Sequence, residues 1–375
     1  MAAYITSMGF LSLGLVVLDE IRLPNQQPLT NILGGSAAYA TLGARLFLPP
    51  TSSRSPGWML HVGNDFPECT RGLLESWGVA LVVDKEAERL STRGLLEYRD
   101  TTFGPKTFRY TTTPLQVSIG SLENTPFLAS KAFHFLESPQ NINGRASELL
   151  ASRSRSTDML EPPLIIWEPA PLSCKAENLA PCLQALQSQT VDVFSPNHIE
   201  LSALFGENPT SDKARIESLV LRIVASIDER RTSPPTFTPS EQEMKSLTIL
   251  IRAGEHGCLV CTQNTKLTWL PPFYKLGLGG ERNPKVVDPT GAGNAFLGGY
   301  ASGYLRTGNP VDAACYGAVA ASFALEQVGM PVLEKNVTRN GPGDEEVWNG
   351  ESVLGRLREY RRGAGILRDK TEAMD

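Results

Sequence analysis

The sequence predicts an α/β protein with a mostly parallel central sheet and a small β-hairpin beside it. Three observations carry that expectation. Short apolar, β-rich runs recur along the chain, amphipathic stretches of helical period lie between them, and Gly/Pro breaks punctuate the two. Strand candidates are residues 11–18, 81–83, 164–167, 191–194, 247–251 and 258–261. Helix candidates are 69–77, 176–187, 213–227 and 311–327. One region breaks the rhythm: 92–98 and 107–113 alternate, are rich in Thr, Tyr and Phe, and flank Gly104-Pro105. Such a pair reads as a hairpin, suited to a lid over roughly 89–116.

The first apolar run, inside Met8-Gly-Phe-Leu-Ser-Leu-Gly-Leu-Val-Val-Leu18, has the length of a signal-peptide core. No Lys or Arg precedes it, Asp19-Glu20 follows at once, and a small-x-small cleavage pattern is missing. It is therefore expected to be a buried first strand. Segments 49–57, 151–163 and 230–243 have the Pro, Ser and Arg content of surface insertions. The Ser/Arg run 152–156 is expected to be a solvated loop, ahead of an interaction or phosphorylation site. Past about Asn336 the composition shifts, and Val353, Leu357 and Tyr360 mark one face of a short basic helix, packed back or partly disordered. The expected division is thus a main domain over 1–335 and an extension over 336–375.

A chain of 375 residues buries a sizeable core without staples. With 41% hydrophobic and 20% charged residues it is not disordered as a whole. Lys plus Arg is 35 and Asp plus Glu 40, a net charge of −5, which leaves no basic field for nucleic acid. No run reaches the roughly 18 apolar residues of a membrane span. The six cysteines are scattered, as expected of reduced core residues in the cytoplasm.

The strongest chemical signal is Val286-Val-Asp-Pro-Thr-Gly-Ala-Gly-Asn-Ala-Phe-Leu-Gly-Gly-Tyr300. A short β-type run enters Thr290-Gly-Ala-Gly293 and then a helical pattern of small and apolar residues. Glycines let successive N–H groups converge, and the helix adds its positive end. The result is an anion hole, or else a Gly-rich turn made for close packing. Competing motifs fail. A dinucleotide fingerprint needs glycine where Phe296 stands, and no Gly-Lys-Ser/Thr of a Walker A motif occurs. Cys258-Leu-Val-Cys261 has thiol spacing for zinc or redox work, but residues three apart on a strand face opposite sides. The sequon Asn336-Val-Thr338 carries no weight in a cytosolic chain.

Asp288-Pro-Thr-Gly-Ala-Gly-Asn294 resembles the C-terminal signature of the ribokinase-like (PfkB) carbohydrate and nucleoside kinases, D-x-T-G-A-G-D. Other pieces follow in the family's order. Gly14-Leu-Val-Val-Leu-Asp19 resembles the first strand, ending in a substrate-binding Asp. Gly34-Gly-Ser-Ala-Ala-Tyr39 resembles the paired glycines near the acceptor. Val62-Gly-Asn-Asp65 and Gly78-Val79 fit the family's G-x-D helix and G-V strand entry. Asn197-His-Ile-Glu200 is similar to the N-x-x-E element that supports Mg²⁺ and phosphates, and Arg252-Ala-Gly-Glu-His-Gly257 to the T-x-G-x-x-G beside the nucleotide. The resemblance spans about 8–333 and implies a three-layer ribokinase-like fold with a β lid.

It also implies ATP and Mg²⁺ as cofactors and a small-molecule alcohol as acceptor. Gly291, Ala292 and Gly293 would stabilise the transferring phosphoryl group. Asp19, Gly34, Gly35 and Tyr39 would line the acceptor. Asn197, Glu200, Arg252, Gly254, Gly257, Asp288 and Thr290 would serve ATP and phosphate, with Glu200 reaching the metal through water. Three positions depart from the family pattern. Asn294 replaces the final Asp, the proton acceptor, and an amide has no titratable lone pair near neutral pH. Tyr39 stands where many members carry a sugar-contacting Asn, and Arg252 replaces the usual Thr. Three readings follow: a kinase of a sugar-like or nucleoside-like alcohol, a pseudokinase that keeps ligand binding and works through partners, or different chemistry on the same scaffold. Lid edges offer a route to a dimer that nothing in the sequence requires.

Overall fold

The computed structural model describes residues 8–101, 103, 106–156, 161–231, 247–262, 266–334 and 346–366. Among the described residues, thirteen strands build the two larger sheets. In chain order they are β1 (Phe10–Ser12), β2 (Val17–Arg22), β3 (Leu29–Gly34), β4 (Pro56–Gly63), β5 (Ala80–Glu86), β6 (Arg93–Tyr98) and β7 (Lys106–Tyr110). They continue with β8 (Ala132–Glu137), β9 (Leu164–Pro169), β10 (Val193–Phe194), β11 (Thr248–Arg252), β12 (Cys258–Cys261) and β13 (Leu267–Leu270). The central sheet has nine strands in the order β13-β12-β11-β10-β9-β8-β1-β4-β5. From β11 to β5 every pairing is parallel, and β12 and β13 add an antiparallel edge.

Strand alternation divides the apolar side chains between two cores, which makes three layers. Leu164 and Ile166 face α1 (Ser36–Arg45), α7 (Ala292–Thr307) and α8 (Pro310–Leu325). Ile165 and Trp167 face α3 (Ile142–Ser156), α4 (Leu179–Gln187), α5 (His198–Leu204) and α6 (Lys213–Arg231). α2 (Glu68–Ser76) places Leu74 with the first group. Cys258 and Cys261 fall in different cores, and the described residues contain no cluster of three or more His, Cys, Asp and Glu able to hold a metal. No helix among the described residues is long and apolar enough to cross a membrane.

The apolar run 11–18 is not one strand. β1 ends at Ser12 in the central sheet, and β2 begins at Val17 in a different sheet. The backbone breaks at Gly14, whose N–H is held by Ser12 Oγ and whose missing Cβ leaves room for Ser36 Oγ. Asp19 therefore lies in the middle of β2 rather than at the end of the first central strand. The β6–β7 hairpin pairs through β6 with β2, giving a four-stranded second sheet, β3-β2-β6-β7. Its turn at 104–105 lies outside the described residues.

Three further expectations are corrected. Pro56 and Gly57 belong to β4, where Gly57 passes close over the Phe127 ring. The Ser/Arg run is the last turn of α3, and Arg153 is buried there, donating to the Leu128 and Ser130 carbonyls. Residues 286–288 form no strand; they are an extended strap whose Val287 and Asp288 N–H groups donate to the Leu325 carbonyl. Most of the 230–243 insertion and the sequon lie outside the described residues. On either side of the segment that holds the sequon, β14 (Leu333–Glu334), β15 (Val347–Trp348) and β16 (Glu351–Ser352) form a small sheet. α9 (Val353–Gly363) then buries Val353, Leu357 and Tyr360 and packs along α8. Arg45, 1% exposed, ties this segment down through Glu346 at 2.6 Å and the Trp77 carbonyl at 2.7 Å.

Candidate active site

The glycine turn opens α7, a helix of 16 residues. Gly291 is its N-cap at φ 77°, a left-handed conformation that a side chain disfavours. Asp288 shapes the approach: its Oδ1 accepts from Thr290 N at 2.9 Å and Thr290 Oγ1 at 2.7 Å. Small residues set the helix in place. A Cβ on Gly298 would lie 1.8 Å from the Ala40 carbonyl, and one on Gly43 would lie 2.0 Å from that of Ala295. α1 and α7 are thus in backbone contact, and α1 delivers Tyr39 to the turn. The Tyr39 ring lies against Gly291, 3% exposed, and its OH donates to the Gly329 carbonyl. Tyr39 fills space beside the turn; it offers no open face for stacking.

Across from the turn, the second sheet presents Asp19. Both neighbouring strands carry glycine beside it: a Cβ on Gly34 or Gly94 would lie 2.1 or 2.3 Å from its carboxylate oxygens. Its Oδ1 is buried without a hydrogen-bond partner among the described residues. Burial pushes the Asp19 carboxyl up to about 7; Lys106 pulls the other way and Asp288 adds to the rise. Gly35, at φ 93°, turns the chain into α1.

Lys106 of β7 joins the two sides. Its ammonium donates to Thr290 Oγ1 and to Tyr98 OH, and Tyr98 OH donates in turn to Asp288 Oδ1 at 3.2 Å. Burial lowers the Lys106 pKa, against the attraction of Asp288 and Asp19. Sequence reasoning passed over Lys106 and Tyr98. Both lie in the hairpin, and nothing local marks which of its polar residues turn inward.

The remaining candidates gather at the C-terminal ends of the central strands, where α/β sheets bind ligands. Asn197 and Glu200 form a capping box on α5: Asn197 Oδ1 accepts from Glu200 N, and Glu200 Oε2 from Asn197 N, each at 2.8 Å. Burial pushes Glu200 up to about 7, Arg252 opposes and Glu168 adds. Gly254 and Gly257, at φ 55° and 88°, make the tight β11–β12 turn. Arg252 ends β11 and points at α7. Its Nη1 meets Glu168 Oε1 at 2.8 Å, its Nη2 donates to the Ser195 carbonyl at 2.9 Å, and a Cβ on Gly293 would lie 2.2 Å from Nη1.

Glu168 is a third functional residue that no motif marks. It accepts from Asn294 Nδ2 at 2.6 Å and is paired with His134 Nε2 at 3.0 Å. Its signal was a lone carboxylate inside the apolar run Leu164-Ile-Ile-Trp-Glu-Pro169, because a charge in a buried strand demands partners. A cavity of about 350 Å³ opens between α9 and the 271–275 segment, lined by residues including Tyr274, Lys285 and Arg356. It shares no residue with the turn and lies outside this site.

Comparison with known proteins follows the same lines. Residues 10–334 match the pfkB family carbohydrate kinase domain. An uncharacterized protein of Schizosaccharomyces pombe is 31% identical over 358 residues, 94% of this chain and 92% of that protein. Among solved structures, a probable sugar kinase from Rhizobium etli superposes with a TM-score of 0.64 at 17% identity, covering 97% of this chain and 100% of the other. A putative ribokinase II from E. coli, in complex with ATP and Mg²⁺, superposes with a TM-score of 0.60 at 14% identity, covering 95% and 99%.

Proposed function

The chain belongs to the pfkB family of carbohydrate kinases, and on that premise we propose that it transfers the terminal phosphoryl group of ATP to a hydroxyl of a sugar-like or nucleoside-like small molecule. One observation carries the reading: Lys106 touches Thr290 of the glycine turn while its charge offsets that of Asp19. The sheet that carries the acceptor carboxylate is therefore joined to the phosphoryl turn through Lys106 and Tyr98. Phosphoryl transfer asks a protein mainly for positioning and charge stabilisation. The Gly291–Gly293 amides at the positive end of α7 supply the second. Asp19 supplies the first, because its unpartnered buried oxygen gains a hydrogen bond from an incoming hydroxyl.

Asn197, Glu200, Arg252, Gly254, Gly257, Asp288 and Thr290 lie on the nucleotide side. Mg²⁺ would enter with the nucleotide, neutralising phosphate charge, and Glu200 would reach it only through water. The donor set fits that indirect role, since Glu200 is already engaged by Asn197 N and lies 3.5 Å from Arg252 Nη2. Asn294 accepts a hydrogen bond from the acceptor hydroxyl and orients it. Without a positioned base the rate falls by about 10²–10⁴, so the protein is a slow kinase whose proton leaves to a phosphoryl oxygen or water. The six scattered cysteines, buried apart from Cys69, suit a reducing compartment and hence the cytoplasm. The open edges of the second sheet, β3 and β7, are where a dimer would pair.

A second reading is a pseudokinase that binds nucleotide without transfer. It is favoured by Asn294 itself, whose amide is spent on Glu168. The deciding experiment is ADP release from Mg-ATP across sugars, polyols and nucleosides, with calorimetry of Mg-ATP binding alongside. Turnover abolished by Gly293→Val supports the kinase. Binding that the same substitution abolishes, with no turnover on any acceptor, supports the pseudokinase. Absence of both binding and turnover at millimolar nucleotide refutes the pair.

A further inference from the structure

We propose that Glu168 and Asn294 are a matched pair, carboxylate on β9 and amide on α7, and that Glu168 is the positioning residue that sets both Asn294 and Arg252 against the glycine turn. For its meaning in catalysis this rests on the phosphotransferase reading; the pairing itself does not. Glu168 is 4% exposed and receives three donors from three different elements: Asn294 Nδ2 at 2.6 Å, Arg252 Nη1 at 2.8 Å and His134 Nε2 at 3.0 Å. The chain of contacts continues behind it. Ser12 Oγ lies 2.9 Å from His134 Nδ1 and accepts from Gly14 N. His134 is thus held from both sides, with Nε2 toward Glu168 and Nδ1 toward Ser12 Oγ.

Burial alone would raise the Glu168 pKa, but Arg252, His134 and Asn294 outweigh it and hold the carboxyl below its ordinary value. The charged or titratable groups that surround it are Arg252 on β11, His134 on β8, Glu200 on α5 and Cys174 after β9. An ionised carboxylate only accepts, so the Asn294 amide must turn its NH₂ toward Glu168 and its carbonyl away. Arg252 is aligned by the other carboxylate oxygen, with its guanidinium against Gly293. One buried charge therefore orients the two side chains that border the turn from below.

The pairing has a consequence for the obvious repair. A carboxylate at 294 would face Glu168 at hydrogen-bond distance, and two carboxylates so placed cannot both ionise. Asn294→Asp then shares a proton with Glu168 and supplies no free base at neutral pH. The exchange Glu168→Gln with Asn294→Asp keeps one carboxylate and one amide. Its Gln NH₂ donates to Asp at 294, and its amide oxygen accepts from Arg252.

The test compares wild type, Asn294→Asp, Glu168→Gln and the double exchange by thermal unfolding between pH 5 and 8.5. In Asn294→Asp the shared proton gives a folded-state pKa above the unfolded value. That stability is present at low pH and lost as pH rises, so its unfolding temperature should fall below wild type by a few degrees more at pH 8 than at pH 5. The double exchange should run parallel to wild type. In ADP release, Asn294→Asp should be about tenfold or more below wild type, and the double exchange at least about tenfold above Asn294→Asp. If wild type turns over no acceptor, the kinase reading fails while the unfolding curves still decide the pair. Parallel curves for Asn294→Asp and wild type overturn the pairing. So does a double exchange as pH-sensitive as the single, or one that fails to fold at any pH.

Discussion

Gly291→Ala puts the geometry of the turn under direct strain, at a cost that can be worked out in advance. A side chain at φ 77° costs about 1–2 kcal/mol. The added methyl would lie 2.1, 2.2 and 2.4 Å from Tyr39 Cδ2, Cε2 and Cγ, where carbon contacts belong at about 3.5–4.0 Å. The ring has nowhere to go. It is buried on α1, and α1 is in backbone contact with α7 at Gly43 and Gly298, so the helices cannot part to admit it. Overpacking of this kind costs about 1–3 kcal/mol, which brings the expected loss to about 2–5 kcal/mol. Set against a typical total of about 5–15 kcal/mol, the variant still folds. Urea unfolding of Gly291→Ala, Tyr39→Ala and the double variant closes a cycle. Removing the ring frees the methyl, so the double should be less destabilised than the two singles together by about 1–3 kcal/mol, leaving only the backbone cost. Additivity within about 0.5 kcal/mol would refute the claim that Tyr39 packs on the turn.

Two further outcomes are expected. With its carboxyl pushed up to about 7 in the fold against 3.8 in an unperturbed chain, Asp19 holds a proton between those values that the unfolded state has lost. Its contribution to stability therefore falls as pH rises from about 4 to about 7 and then levels; Asp19→Asn should flatten urea midpoints measured from pH 4.5 to 8, and an unchanged slope would remove Asp19 as the cause. Asn197→Ala breaks the capping box of α5 and should cost about 1 kcal/mol, with weaker Mg-ATP binding by calorimetry because Glu200 loses its anchor; wild-type values in both assays would show that the box holds nothing.

Much of the site was legible because its signals are local. Gly291 is required by its own φ, and Asn197 caps a helix whose partner, Glu200, stands three residues on. Both follow from steric and hydrogen-bond rules that act within a single turn of chain. The alternation of apolar runs with helical stretches likewise announced the layered fold, since a strand buried on both faces reads as a near-continuous apolar run. Reading 11–18 as one strand failed for a definable reason. Hydrophobicity records burial but not which sheet buries a residue, and both halves of the run are buried. The break depends on Ser36 and His134, far along the chain.

By itself, then, the amino-acid order determined the kind of fold, the glycine turn at the head of α7 and the place of Asn294 at the turn. Folding decided which groups meet there. Glu168 and Asn294 are 126 positions apart, Lys106 and Thr290 184, and Tyr39 and Gly329 290. Each side chain taken alone is an unremarkable polar residue. Only packing β2, β9, β11 and α7 around one space turns Asp19 into an unpartnered carboxylate and Glu168 into a saturated one, because the pKa and hydrogen bonding of a buried charge belong to its neighbours.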